Sequence, residues 1–255
     1  RNNRELTMFT TQVHGWLYAA VGCYCLAWIL FGCRQQDAGR LALAAGFLLQ
    51  SLYLLGRGWL GDVFIPNPLV EGPFFLPWCM ALIALVRAIT RPQLALPWMV
   101  GLVVIFSLLA AFYAKGMIPP TPKKMTLWAV LFFASESMAH ALFYSAALYA
   151  MLSFSRKGLN GAFHPLLVWG FVAYTMAQVT GAIWCFVGWG NTFSWGARHL
   201  GSAAIWTFFA ASLHLQFIPG WKRSNPFMVI AGAAMLFYIS YGHYFHEMHF
   251  QRVGG

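Results

Sequence analysis

The sequence predicts an all-α, polytopic integral membrane protein of about eight spanning helices, with both termini on the outer side of the membrane. Three observations predict it. Of the 255 residues, 60% are hydrophobic and 9% charged, with a mean hydropathy of +0.63. A soluble domain carries about a quarter charged residues to cover itself in water. The apolar residues fall into runs of about 20, the length a helix needs to cross the hydrocarbon core. The 16 Lys and Arg stand in ones and twos between those runs, as in the loops of membrane proteins. The formal charge of +10 therefore does not mark a nucleic-acid binder, which clusters its cations on a polar face. The composition also excludes a soluble enzyme and a disordered chain.

The first run, Gln12–Phe31, reads as an uncleaved signal-anchor, since no small-residue cleavage site stands out. The second and third, Leu41–Gly61 and Pro73–Thr90, carry Arg57 and Arg87 near an end, where a long side chain snorkels to the headgroups. The fourth, Leu94–Ala114, has no charge. The fifth, Met125–Phe154, holds Glu136 and His140. The sixth, Leu166–Val187, leads into a Trp-rich loop at about 184–201. The seventh, Leu200–Ile218, carries His214, and Pro226–Tyr244 is the eighth. Loops such as Arg34–Arg40 are too short for a second domain, so residues 1–255 read as one membrane domain. Counting Lys and Arg gives a tie between the two sides. The side holding the tight pairs Arg34/Arg40, Arg87/Arg91, Arg156/Lys157 and Lys222/Arg223 is read as cytoplasmic.

The five cysteines form no CxxC, and CxxCH is absent, which excludes that thiol oxidoreductase pattern and a covalent c-type cytochrome. They read as small apolar packing residues. Buried ionisable groups in lipid are costly and ask for a partner or a task. Glu136 is the only carboxylate deep in a run, and His140 follows on the same helical face. The two could neutralise each other, form a proton relay, or serve as an oriented metal ligand and its acceptor. Counted inward from the outer ends of their runs, His140 and His214 both lie roughly 21–22 Å deep at 1.5 Å per residue. Two imidazoles at one depth on different helices could ligate one b-type haem from both faces. His14, His199, His243, His246 and His249 lie nearer the outer surface, and His164 nearer the inner one.

Trp184, Trp189 and Trp195 condense around the glycine-rich stretch Gly181–Gly201, GAIWCFVGWGNTFSWGARHLG. An interfacial aromatic belt is one reading. A flat aromatic shelf for a planar hydrophobic ligand is the other.

This loop, with a following run that ends in LHL, resembles the tryptophan-rich motif of the CcsA/CcmC/ResC family of cytochrome c assembly proteins. The family pattern is Trp-Gly-x-x-Trp-x-Trp-Asp-Pro-Lys-Glu. Trp189, Gly190, Ser194, Trp195 and the basic Arg198 fit it. The resemblance extends along most of the chain and is greatest to the CcsA branch. Asn67–Trp78 with Glu71, Trp128 opening the fifth run, His214 after the motif and His249 beyond the last run all match that branch. The chain departs from it at Phe193, Gly196, Ala197 and His199 inside the motif, and at Phe132, where relatives carry an outer histidine.

The resemblance implies haem b, one or two per chain, handled at the outer face of a bacterial cytoplasmic membrane or an equivalent organelle membrane. The implied function is presentation of haem for c-type cytochrome biogenesis, as part of a cytochrome c haem lyase or synthase. A CcsB-like partner and an apo-cytochrome c would then work with it. His140, His214, His249 and His199, with Trp184, Trp189, Trp195 and Arg198, are the expected haem-binding residues. The first three are the expected iron ligands. The alternative is the membrane subunit of a quinol-oxidising respiratory complex that reuses the same fold. In it a haem on His140 and His214 passes electrons to a multihaem cytochrome or iron–sulfur subunit, with Glu136 taking the proton from a quinone partner.

Overall fold

The computed structural model of the chain describes residues 3–60, 68–90, 96–112, 125–159, 161–221 and 225–250; side chains 3–12, 60, 68–73, 157, 216 and 241–250 lie outside the description. The described residues form eight α-helices: α1 (Asn3–Gly32), α2 (Gln36–Leu60), α3 (Pro68–Thr90), α4 (Leu96–Phe112), α5 (Leu127–Ser155), α6 (His164–Trp189), α7 (Ala197–His214) and α8 (Asn225–Phe250). Each falls on one of the eight apolar runs. Four contain stretches long and apolar enough to cross a membrane, namely Val13–Gly32, Gln36–Trp59, Leu127–Ser155 and His164–Trp189. The molecule is an all-α integral membrane protein.

The helix ends follow local chemistry. Gln35 N–H donates to the Leu30 carbonyl across Arg34, which adopts φ 63, so α1 turns sharply into α2. Thr126 caps α5 by accepting from the Ala129 N–H at 3.3 Å. Proline sits in the first turn of α6, where a missing N–H costs nothing. Gly190, at φ 77, ends α6 in the left-handed conformation that glycine reaches without strain.

The helices pack as sequential neighbours around α5. The most extensive contacts are α1 with α2 and α5 with α6, and α3, α6 and α8 all lie against α5. Lipid supplies no hydrophobic drive between helices, so close packing depends on small residues opposite large ones. A Cβ on Gly170 would sit 2.8 Å from the Phe143 ring, and one on Gly181 would sit 2.8 Å from the Phe132 ring. These two glycines let α6 close onto α5. Phe143 then stacks face to face on Phe209 of α7, with centroids 3.7 Å apart.

A buried polar seam ties α1, α2 and α3 together. Tyr24 O–H donates to Gln50 Oε1 at 2.7 Å, and Gln50 Nε2 donates to the Phe74 carbonyl at 2.9 Å. Trp78 Nε1 donates to Ser51 Oγ at 2.8 Å. Arg57, expected to snorkel outward, is instead 2% exposed. Its guanidinium donates to Tyr53 O–H and lies 4.7 Å from the Phe74 ring centroid. The aromatic faces and the hydroxyl replace the water it leaves.

Candidate functional site

The Trp-rich loop joins α6 to α7 and folds back over one end of the α5–α6 pair. Gly181 opens the space that Phe132 fills, and Trp184 then stacks on Phe132 at 5.8 Å and meets Phe133 edge-on at 5.3 Å. Trp184 is therefore a buried packing residue. Trp189, one helical turn on, is exposed and stands edge-on to Trp184 at 5.3 Å and 80°. Trp195 is 83% exposed and meets Phe193 edge-on at 5.5 Å and 87°. The rings do not form a single flat shelf, one of the two readings of their clustering. Perpendicular pairing, which the ring quadrupole favours, turns their faces in different directions.

Arg198 lies in the first turn of α7. Its guanidinium covers the aromatic cluster, 5.5 and 5.6 Å from the Phe132 and Phe133 centroids. Its Nη2 lies 3.9 Å from Glu136 Oε2. Glu136 thus pairs with the loop, and among the described residues it makes no hydrogen bond to His140. A neutralising pair within α5, one of the three readings of these residues, is not made, and Glu136 instead faces Arg198 of α7. Phe132, at the position where the resemblance expects an outer ligand, is buried against Phe133 and Trp184.

His140 packs its ring 6.0 Å from Tyr174, and its buried Nε2 has no hydrogen-bond partner among the described residues. Gln178 Nε2, one turn from Tyr174 along α6, is also buried without one. His214, the last residue of α7, is exposed. Its Nδ1–H donates to the Ala210 carbonyl at 2.7 Å, which fixes the tautomer and leaves Nε2 as the ligating nitrogen. The two histidines do not share a level. α5 and α7 run in the same direction and meet at Phe143 and Phe209. His140 precedes that contact by three residues and His214 follows it by five, an offset of about 12 Å along the bundle at 1.5 Å per residue. Equal depth was counted from run ends, but α7 begins at Ala197 and the stacked rings set the stagger between the helices. A single haem held by both residues has no support in this packing.

His199 has both ring nitrogens engaged, Nδ1 with Ser194 Oγ at 2.9 Å and Nε2 with Cys185 Sγ at 3.5 Å. It is not free to bind iron in this arrangement. The side chain of His249 lies outside the described residues, as do those of His243, His246 and Glu71. No group of three or more His, Cys, Asp or Glu side chains that could hold a metal ion occurs among the described residues. Cys185, which the sequence groups with the packing cysteines, stands beside His199. Its spacing of 14 residues from His199 becomes informative only once the loop is seen to fold back.

No family model matches the chain. It is similar to cytochrome c biogenesis protein CcsA of Prochlorococcus marinus (strain AS9601), 21% identical over 83% of this chain and 82% of that protein. CcsA of Chlamydomonas reinhardtii is 22% identical over 79% of this chain and 64% of its own length. A shorter match, 32% identical over 80 residues, relates 31% of the chain to 25% of CcsA from Prochlorococcus marinus subsp. pastoris. The likeness to CcsA-type cytochrome c biogenesis proteins, first suggested by the Trp-rich loop, thus extends along about four-fifths of the chain.

Proposed function

We propose that this chain is a haem-handling membrane protein of c-type cytochrome biogenesis, and that all eight helices cross the membrane with the Trp-rich loop and both termini on the outer side. The observation that carries this reading is the similarity to CcsA proteins over most of the chain, joined to a loop that presents Trp189 and Trp195 at one end of the bundle.

The residues present fit haem b at one place best. His214 has its Nδ1–H committed to the Ala210 carbonyl, which leaves Nε2 as the nitrogen available to iron. His214 would hold the iron. When bound, the haem supplies the vinyl carbons that a c-type cytochrome links to its cysteines. The protein's own part is to bind and orient the group and keep water from it. At the opposite end of α7 from His214, Trp189 and Trp195 would lie against the planar apolar face of a haem presented at the outer surface, and Arg198 would meet its anionic edge. His249 is the proposed outer ligand. His140 would serve a separate haem or a proton path through Glu136, rather than face His214 across one iron. A CcsB-like protein and an apo-cytochrome c are the proposed partners.

The test is a deletion strain. Loss of covalently bound haem in its c-type cytochromes, restored by the wild-type gene and not by a Trp195→Ala gene, is the expected result. Undiminished c-type cytochromes in the deletion strain would overturn the proposal.

A further inference from the structure

We infer that Cys185, His199 and Ser194 form a thiol–imidazole–hydroxyl relay that activates Cys185 for disulfide exchange with another protein. Cys185 Sγ lies 3.5 Å from His199 Nε2, and His199 Nδ1 lies 2.9 Å from Ser194 Oγ. A nucleophile within hydrogen-bond reach of a base, with the base oriented by a third group, is the arrangement that activates weak nucleophiles. The loop is folded to make it. Gly190 reverses the chain at the end of α6, Gly196 starts α7, and Phe193 steadies the imidazole edge-on at 5.4 Å. A packing cysteine needs none of this. Cys79, at 0% exposure among apolar side chains, shows what that role looks like, whereas Cys185 is partly exposed beside an imidazole.

In the tautomer with Nδ1–H toward Ser194 Oγ, Nε2 accepts the thiol proton as the sulfur attacks. The Cys185 sulfur bonds to one sulfur of a partner's disulfide, the partner's S–S bond breaks, and the departing thiolate takes the proton from the imidazolium. Two sulfurs exchange partners, so no outside oxidant or reductant is needed. The chain has no resolving thiol nearby. Cys23 and Cys25 lie on α1, Cys33 just beyond it and Cys79 on α3. The product is therefore a mixed disulfide with another molecule. This inference does not depend on the haem reading.

The test uses the full chain in detergent with C23A, C25A, C33A and C79A, leaving Cys185 as its one thiol, and 5,5′-dithiobis(2-nitrobenzoate) as the disulfide probe. The readout is the second-order rate of that reaction at pH 7. H199Q should slow it by roughly 100-fold, and S194A several-fold. A rate unchanged in H199Q would overturn the relay. If the four-alanine chain does not fold, wild type and C185A decide instead. Loss of one probe equivalent from the fast phase supports the relay, and loss from the slow phase overturns it.

Discussion

Arg198 Nη2 stands 3.9 Å from Glu136 Oε2, and the same guanidinium covers the rings of Phe132 and Phe133. One side chain thus ties the start of α7 to the third turn of α5 and closes the Trp-rich loop over its aromatic base. Arg198 is more than half exposed, so the ion pair contributes under about 1 kcal/mol and the ring contacts add about 0.5–1 kcal/mol each. Arg198→Ala should lower the thermal midpoint by a few degrees. Arg198→Lys should recover only part of it, because the ammonium lacks the planar fork. A midpoint unchanged in Arg198→Ala, read by scanning calorimetry in detergent, would remove the clamp.

Trp184 and Trp195 come from one cluster in the sequence but should fail differently. Trp184→Ala empties a buried site and should cost about 3–5 kcal/mol. Trp195 is almost fully exposed, and Trp195→Ala should change stability by no more than about 0.5 kcal/mol while abolishing haem delivery. Denaturant titration alongside a haem-transfer assay checks both. Equal stability losses would contradict the assignment.

Gly181→Ala should destabilise the chain by about 1–3 kcal/mol, the usual cost of overpacking. Its Cβ would stand 2.8 Å from the Phe132 ring, which is pinned between Trp184 and Phe133. Gly188→Ala, where a Cβ meets nothing within 4 Å, is the control. Comparing the two unfolding midpoints decides the matter.

The 12 Å stagger between His140 and His214, reckoned from about 1.5 Å per residue, separates their roles. His214→Ala should remove most of the bound haem measured by pyridine haemochrome, and His140→Ala should leave that haem in place. Loss of one shared low-spin signal in both variants would show that a single iron joins them after all.

The eight helix positions were legible in the sequence because apolar runs and their Gly, Pro and charged interruptions are local signals. The partners were not. Arg57 near a run end reads as a snorkelling side chain, and only the approach of α3 shows that Phe74 and Tyr53 enclose it. Glu136 and His140 share a helical face, yet a loop that returns from α6 takes Glu136 toward Arg198. The depth of a histidine depends on where its helix starts and how it is staggered, which Phe143 and Phe209 settle through contact between helices. The resemblance to CcsA drew attention to the Trp-rich loop, but Cys185 lies outside the family pattern and carried no signal until the fold placed it beside His199.

The seam around Gln50 also bears on how the chain enters the bilayer. A polar or cationic residue at the centre of a helix resists transfer from the translocon, by about 2.5–3.5 kcal/mol for arginine. α2 carries both Gln50 and Arg57: Gln50 bonds Tyr24 of α1 and the Phe74 carbonyl of α3, and Arg57, near the end of α2, bonds Tyr53 of its own helix and lies over Phe74 of α3. During synthesis α2 therefore emerges before the groups that satisfy it are complete. With all eight helices spanning the membrane as proposed, the stable residence of α2 in lipid waits for α3, and the first three helices enter together rather than one by one.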